Sequence, residues 1–232
     1  ERKNNMTNLP SLEELLKKGV HFGHKTSKRH PKMSPFIFTK RNGVHVIDLE
    51  ATVANLRDAI AFVEKITKSG GTILFIGSKK QAKTIVREAA ENCDMPYIVG
   101  RWLGGTFTNF NNIVKLTKKL ETLTTEKADG TWDRYTKKEQ VTMSKQMKKL
   151  EDTVGGIRKM QKLPEAVFVV DIKKEKTAVM EANKVGLPIV AMTDTNTNPE
   201  KVKYPIPAND DAIKSIRIIT DLISEAIKNA KK

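Results

Sequence analysis

Apolar residues recur along this 232-residue chain in two alternating rhythms, one typical of buried strands and one typical of amphipathic helices. Compact runs rich in β-branched residues predict strands at residues 72–76, 97–99, 166–170, 188–192 and 204–207. Between these runs, apolar residues at steps of three and four predict helices. Strands that alternate with helices favour right-handed crossovers, so the chain predicts an α/β fold with a parallel sheet covered on both faces.

A further brief strand is predicted at residues 44–47, and a long helix is predicted to end the chain. The inner side of that last helix is expected to hold four isoleucines: Ile213, Ile216, Ile223 and Ile227.

Residues 111–163 interrupt the alternation, because they contain no strand signal and their apolar residues follow a 3.5-residue spacing. The spacing appears twice, on either side of a predicted turn at residues 128–132, and indicates two helices that form an antiparallel coiled-coil hairpin. We therefore divide the chain into a sheet domain, residues 1–110 and 164–232, and an inserted hairpin, residues 111–163.

The charge balance indicates a polyanionic partner. Lys and Arg number 42 against 27 Asp and Glu, which leaves a formal charge of +15 and favours nucleic acid over a protein that is merely basic. Residues 24–41 hold six Lys or Arg, two His, two Pro and no acid, without sustained periodicity, and predict a basic loop. The hairpin is also rich in lysine, but a charged helix face is as typical of simple solvation as of RNA contact.

Two features argue against a membrane or an oxidising compartment. The longest apolar runs span five residues, whereas a membrane helix needs about 20. The single cysteine, Cys93, cannot form an internal disulfide and occupies an apolar position of a predicted helix, so we expect it to be buried and unreactive. We expect a cytoplasmic protein, with an organellar matrix as the alternative.

An α/β sheet also suits an enzyme, since ligands in such folds bind beyond the carboxyl ends of the strands. Gly77-Ser78-Lys79-Lys80 follows the strand at 72–76, but it has neither the glycine spacing of a dinucleotide site nor the frame of a P-loop. We favour a tight turn at Gly77 over a phosphate site at Lys79 and Lys80. Nothing indicates nucleophilic catalysis, so no catalytic residue is predicted.

Five polar residues could gather into a metal or hydrolytic site if the leading segment folds back over the strand ends: His21, His24, Asp194, Asp210 and Asp211. Helix capping by Asp210 or Asp211 and ordinary hydrogen-bonded histidines are the favoured alternative. The metal candidates are therefore His24, Asp194 and Asp210, and no cofactor is expected.

Residues 101–109 combine a cation, an aromatic residue and two consecutive glycines just before the hairpin. Glycine amides, threonine hydroxyls and Arg101 could bind backbone phosphates, whereas Trp102 and Phe107 could pack the hairpin onto the sheet. We expect the aromatic residues to pack, and Arg101 and Asn109 to meet RNA.

Several separate motifs resemble, in order, the family of the second protein of the small ribosomal subunit, in its bacterial or organellar branch. The first is Gly19-Val20-His21-Phe22-Gly23-His24, followed by Pro31-Lys32-Met33. The others lie at residues 101–106 and 108–109, 169–171, 181–183, 194–196, 206–207 and 209–213. One departure is Lys28-Arg29-His30, where the family commonly has an aromatic residue followed by Asn.

The resemblance implies a flavodoxin-like or Rossmann-like sheet domain with a coiled-coil hairpin, and a structural constituent of the small subunit rather than an enzyme. It also implies small-subunit rRNA and neighbouring ribosomal proteins as partners, including the large mRNA-binding protein; we expect no homo-oligomer. The RNA-binding candidates are Lys25, Lys28, Arg29, His30, Lys32, Lys40, Arg41, Arg101, Thr108, Asn109, Lys115 and Lys148. A nucleotide- or metal-dependent enzyme and a free RNA-binding regulator are the alternatives.

Overall fold

The computed structural model of the protein describes residues 9–231, and these residues form two sheets and seven α-helices. The first eight residues, which the predicted sheet domain includes, lie outside the described residues. The strands are β1 (Phe22–Lys25), β2 (Ile37–Arg41), β3 (Val44–Ile47), β4 (Ile73–Ile76), β5 (Tyr97–Ile98), β6 (Ala166–Val169), β7 (Ile189–Thr193) and β8 (Tyr204–Pro207). The helices are α1 (Leu12–Lys17), α2 (Leu49–Lys68), α3 (Lys83–Asn92), α4 (Phe110–Ala128), α5 (Lys137–Val154), α6 (Lys176–Lys184) and α7 (Ile213–Ala230).

The larger sheet has five parallel strands in the order β5-β4-β6-β7-β8. The first two of these strands in the chain exchange places in the sheet, which is the flavodoxin-like order. Every residue of β4, β6 and β7 is buried, as expected for strands covered on both faces. Gly77 follows β4, and a Cβ there would lie 2.8 Å from Cγ2 of Val86, so glycine permits close packing of α3 at this strand end, while a tight turn at Gly77 stays a prediction. The α/β fold class is confirmed.

Apolar side chains form one cluster on each face of this sheet. Helices α2, α3 and α7 cover one face, with Leu56, Val86 and Ile223 fully buried or nearly so. Helix α6 and the base of the hairpin cover the other face. Ile213 is an exception to the predicted inner side of α7, because it is the first residue of the helix and is 57% exposed. The buried apolar stripe begins at Ile216.

The predicted basic loop at residues 24–41 is wrong, because both of its ends belong to strands. Strands β1, β3 and β2 form an antiparallel sheet in that order, which we call the basic sheet together with the two 3₁₀ turns between β1 and β2. Asn42 and Gly43 join β2 to β3 with positive φ angles of 51° and 74°, as in a type I′ hairpin. Strand β2 is almost wholly exposed, so backbone pairing with β3 defines it rather than an apolar face.

Helices α4 and α5 pack on each other and are joined through a 3₁₀ turn at Thr131–Arg134. A capping box of Thr136 and Glu139 begins α5. Buried residues of this pair, such as Leu120 and Val154, belong to the same apolar cluster as the sheet residue Val167. The base of the hairpin therefore shares a core with the sheet, while its coiled-coil character and the division into two domains stay predictions.

Cys93 is buried at the end of α3, and burial raises the pKa of its thiol. The thiol therefore stays protonated and unreactive at neutral pH, as predicted. Among residues 9–231, no helix combines the length and the apolar character that a membrane crossing requires.

Candidate nucleic-acid interface

The basic sheet is fixed to the carboxyl edge of the parallel sheet by backbone hydrogen bonds. The amide of His30 donates to the carbonyl oxygen of Thr195 at 2.8 Å, and the amide of His24 donates to the hydroxyl of Thr195 at 2.9 Å. Gly23 permits this approach, since a Cβ there would lie 2.6 Å from Cγ2 of Thr195. Asn209 adds a bond from its amide to the carbonyl oxygen of Val20 at 3.0 Å. These bonds therefore hold the basic sheet and its side chains in a fixed position on the parallel sheet.

The basic RNA-binding candidates of this sheet lie on its surface. All six cationic candidates are exposed: Lys25, Lys28, Arg29, Lys32, Lys40 and Arg41. His30 is half-buried, and its Nδ1 accepts a bond from the amide of Lys32 at 3.2 Å. The ammonium of Lys32 lies 2.7 Å from the carboxylate of Glu200, so part of its charge is already balanced. Two aromatic rings on the same sheet are also exposed, Phe22 by 53% and Phe38 by 76%.

A second charged group lies beyond the carboxyl ends of β4 and β6, where the strand order reverses and α/β folds commonly bind ligands. This strand-end cluster consists of Lys79, Asp171, Asp210 and Asp211, with His24 and Asp194 beside them. The ammonium of Lys79 lies 3.1 Å from Asp171, 2.8 Å from Asp210 and 2.6 Å from Asp211. Lys79 is therefore not a phosphate ligand, because three carboxylates engage it and would repel a phosphate.

The protonation equilibria of the cluster follow from this geometry. Burial alone would lower the pKa of Lys79, but the carboxylates around it raise the pKa overall, and the side chain stays charged. Burial, with the nearby charges of Asp171 and Asp194, raises the pKa of Asp210 to about 7. The hydrogen bond between Nδ1 of His24 and Asp194, at 3.1 Å, raises the pKa of His24. The carboxylates of the cluster therefore favour the protonated forms of Lys79, His24 and Asp210.

The metal candidates His24, Asp194 and Asp210 do meet, with one possible ligand atom from each lying within 4.8 Å of the others. His21 does not join them in the described part of the chain; its ring packs against Phe22 with centroids 4.0 Å apart. A metal at this place stays a prediction, and the ammonium of Lys79 already supplies positive charge beside Asp210. The predicted helix cap by Asp210 or Asp211 is wrong. Ala212 is the N-cap residue of α7 and no side chain caps the helix; the Oδ1 of Asn209 accepts bonds from the amides of residues 211 and 212, at 2.8 and 3.1 Å, in the turn before it.

The segment at residues 101–109 wraps around a carboxylate that the sequence reasoning missed. Glu181 of α6 is 9% exposed and accepts bonds from the amides of Gly105 at 2.8 Å and Phe107 at 2.9 Å. The indole Nε1 of Trp102 donates to it as well, at 3.2 Å. Burial would raise the pKa of Glu181, but these donors lower it overall, so the carboxylate is charged.

The phosphate site proposed for the glycine amides of this segment is therefore wrong at Gly105, whose amide is already used. The expected packing of the aromatic residues is confirmed, with the rings of Trp102 and Phe107 in edge contact at 4.9 Å. The signal for Glu181 was its position on the apolar face of α6, between Ala178 and Ala182.

The remaining RNA-binding candidates are exposed on or near the hairpin: Arg101, Thr108, Asn109, Lys115 and Lys148. Residues 111–163 hold 13 Lys or Arg against seven Asp or Glu, so the hairpin is basic overall. Exposure permits RNA contact at each of these positions, and the contacts themselves stay predictions.

Fold and surface together define a class: a basic α/β protein whose strand-end position is filled by its own ion pairs and whose exposed charge suits a polyanion. The family model of Ribosomal protein S2 matches residues 15–230. Small ribosomal subunit protein uS2 of Salinibacter ruber is 48% identical over 218 residues, which are 94% of this chain and 68% of that protein. The protein of the same name from Chloroherpeton thalassium is 50% identical over 219 residues, 94% of this chain and 88% of that protein. The chain belongs to the ribosomal protein S2 family.

Proposed function

We propose that this chain holds folded rRNA at the edge of the small ribosomal subunit, chiefly through its basic sheet. Family membership makes the chain a structural constituent of that subunit and not an enzyme. One observation carries the proposed contact. Six exposed Lys and Arg side chains and no acidic residue occupy positions 24–41, on a sheet that backbone bonds fix to the protein.

The chemistry of this surface suits the RNA backbone. Each exposed cation can neutralise a phosphate and release a condensed counterion, and a firm support lowers the entropy that is lost on binding. The guanidinium of Arg29 can form two parallel hydrogen bonds to a phosphate or stack on a base. The exposed ring of Phe38 offers a surface for stacking on unpaired bases.

A second contact area is proposed at the hairpin and at the segment before it. Arg101, Thr108 and Asn109 are exposed where the segment meets α4, and Lys115 and Lys148 are exposed on the two helices. Their charge and hydrogen-bonding groups suit phosphate and ribose oxygens, which position a protein without reading sequence. His30 is proposed as a lesser contact, because its Nδ1 is already used.

The protein partners are proposed as neighbouring ribosomal proteins, among them the large mRNA-binding protein that the family resemblance implied. Leu12 and Leu16 support a protein contact, since they leave apolar surface exposed on α1, by 45% and 52%. A single copy is proposed rather than a homo-oligomer, because two chains of charge +15 repel each other. The cytoplasm is the proposed location, as the lone thiol needs no oxidising compartment. No cofactor is proposed.

The enzyme alternative finds no support in the site, since the strand-end position that would bind a nucleotide is occupied by Lys79 and three carboxylates. A free RNA-binding regulator would use the same basic surface, so only its location in the cell separates it from a ribosomal component.

The test is sedimentation of a native lysate on a sucrose gradient, with a variant that lacks four cations of the basic sheet: Lys25→Ala, Lys28→Ala, Arg29→Ala and Lys32→Ala. The wild-type chain should sediment with small subunits and monosomes. The variant should move toward the top at moderate salt. In binding to purified small-subunit rRNA, the slope of log affinity against log salt should fall by about three, because each lost phosphate contact removes about 0.7 to 0.9.

The matched control removes four exposed lysines from helices outside the basic sheet: Lys65, Lys83, Lys184 and Lys214. Net charge falls equally, so an equal loss in the control would show that overall charge acts rather than this surface. A wild-type chain found only at the top of the gradient would refute the ribosomal role and favour the regulator.

A further inference from the structure

The basic sheet contains a cavity of about 600 Å³ beside the β2–β3 turn. Its lining residues are Thr26, Arg29, Lys40, Asn42, Gly43 and His45. None of these six is acidic, and two are cationic, so the cavity favours an anionic ligand. Its volume lies in the range of about 300 to 1,000 Å³ that is usual for sites of small organic ligands, and is larger than a phosphate alone requires.

His45 is the feature that the fold itself does not explain. The side chain is on the central strand of the basic sheet, is 7% exposed, and has no hydrogen-bond partner at either ring nitrogen. Burial, and then the charges of Arg29 and Lys40, lower the pKa of His45, so the ring is neutral at pH 7. A neutral imidazole carries one donor and one acceptor, and leaving both unpaired costs stability.

The chemistry of the unpaired ring selects the ligand. The bonding directions of the two ring nitrogens diverge, so one ligand group can meet only one of them. A phosphate offers acceptors alone and suits only the nitrogen that carries the proton, whereas the edge of a nucleobase offers both donors and acceptors and suits either nitrogen. Lys40 lies directly opposite His45 in the β2–β3 register, so the two side chains share one face of the sheet. Arg29 and Lys40 are exposed, and their long side chains can rearrange to reach the phosphates of a nucleotide beside the ring.

We infer that this cavity binds one unpaired nucleotide of the rRNA, with the base against the imidazole of His45 and the flanking phosphates on Arg29 and Lys40. Unpaired bases of loops and bulges are the parts of RNA that proteins read most directly. The inference rests on the proposed function and deepens it, because it adds recognition of a single base to a surface that otherwise contacts the backbone.

The test uses the full chain, small subunits that lack it, and nucleotide-resolution chemical probing of the rRNA. His45→Phe keeps the aromatic volume and removes both ring nitrogens. It should leave thermal stability equal or higher, since it removes two unpaired polar atoms. Affinity for the subunits should fall about tenfold, the effect of losing one good base contact. One unpaired nucleotide, protected by the wild type, should become reactive.

His21→Phe is the matched control, because His21 lies on the same part of the chain but outside the cavity. It should change neither affinity nor protection. Arg29→Lys is the second variant, since it alters an exposed side chain, keeps the charge and cannot disturb the core. Arg29→Lys should make the same nucleotide reactive in the chemical probing.

Unchanged affinity and protection in folded His45→Phe, or a reactivity change spread over paired helices, would overturn the inference while leaving the ribosomal role intact. A wild-type chain that does not bind the subunits would refute the proposed function itself. Competition with free AMP separates the base from its phosphate: AMP should compete better than inorganic phosphate, and equal competition would overturn the role given to the base.

Discussion

The basic sheet and the strand-end cluster arrange charge in opposite ways, although they share His24 and lie side by side. In the basic sheet, the six cationic RNA-binding candidates are exposed. Within the described residues, the ion pair found among them joins Lys32 to Glu200. In the cluster, the side chain of Lys79 is 15% exposed and has three carboxylates within 3.1 Å. One region leaves its charges exposed to solvent, and the other pairs its charges with one another.

The difference separates the proposed binding surface from a group that stabilises the fold. A buried charge lowers stability unless a group of opposite charge pairs with it. Removing one member of the cluster therefore leaves the others unpaired and shielded from water. An exposed cation is stabilised by water and costs the fold little to keep or to lose. Substitutions in the cluster should therefore change stability, and substitutions in the sheet should change RNA binding.

The largest expected effect is on the free energy of unfolding when Lys79 is removed. Lys79→Met keeps most of the side-chain volume but leaves the carboxylates of Asp171, Asp210 and Asp211 without their cation. Breaking a buried ion pair from one side costs about 3 kcal/mol or more. Urea unfolding followed by circular dichroism should show this loss.

The neighbouring Lys80 is the control, because it is exposed and Lys80→Met removes the same group from the same loop. Its effect should stay within about 0.5 kcal/mol. If the two variants lost equal stability, the cluster would not be a group that stabilises the fold.

A smaller effect is expected from the titration of Asp210. The pKa of this group is about 7 in the folded chain, above the ordinary 3.8, so the folded state binds the proton more tightly than the unfolded state does. Its contribution to stability is therefore complete below about pH 4 and is lost as the pH rises through 7. The raised pKa of His24 acts in the same direction above pH 6.5.

Asp210→Asn should remove the part of this dependence that Asp210 causes. From pH 5 to pH 7, stability of the wild type relative to the variant should fall by about 1 kcal/mol per pH unit, measured by urea unfolding with EDTA present. Asp58→Asn changes an exposed carboxylate on α2 and should keep the wild-type profile. If the stability of the wild type and of Asp210→Asn changed with pH in parallel, the raised pKa of Asp210 would be contradicted.

Sequence reasoning recovered the parallel sheet because its strands are buried on both faces, and continuous apolar runs identify such strands directly. It missed β1 and β2, where side chains are mostly exposed and burial leaves no alternation. A usable signal was present in Asn42-Gly43, a dipeptide that favours the type I′ turn between paired strands. Backbone pairing with β3, rather than a buried face of its own, defines β2.

The candidate site was likewise predicted in part: its exposed cations were found from the sequence, and its buried charge pairs were not. Lysine and arginine at the surface can be recognised from composition, since nothing in the fold has to be known for a cation to be exposed. The pairing of Lys79 with Asp171 and Asp210 depends on strand order, which brings together residues far apart in the chain. The wrapping of residues 101–109 around Glu181 has the same origin. Long-range charge pairs follow from topology, and no local pattern encodes them.

The smallest expected effect is on the salt dependence of rRNA binding and concerns Lys32 of the basic sheet. Like Lys79 in the cluster, Lys32 is already paired with a carboxylate, that of Glu200. Lys25→Gln should lower the salt slope of rRNA binding by about one, the loss of a single phosphate contact. Lys32→Gln should lower it by less, because its ammonium lies 2.7 Å from a competing carboxylate. Both should change stability by less than about 0.5 kcal/mol. Glu200→Gln should raise the slope by freeing Lys32, and an unchanged slope in that variant would show that exposed pairing does not limit phosphate contact.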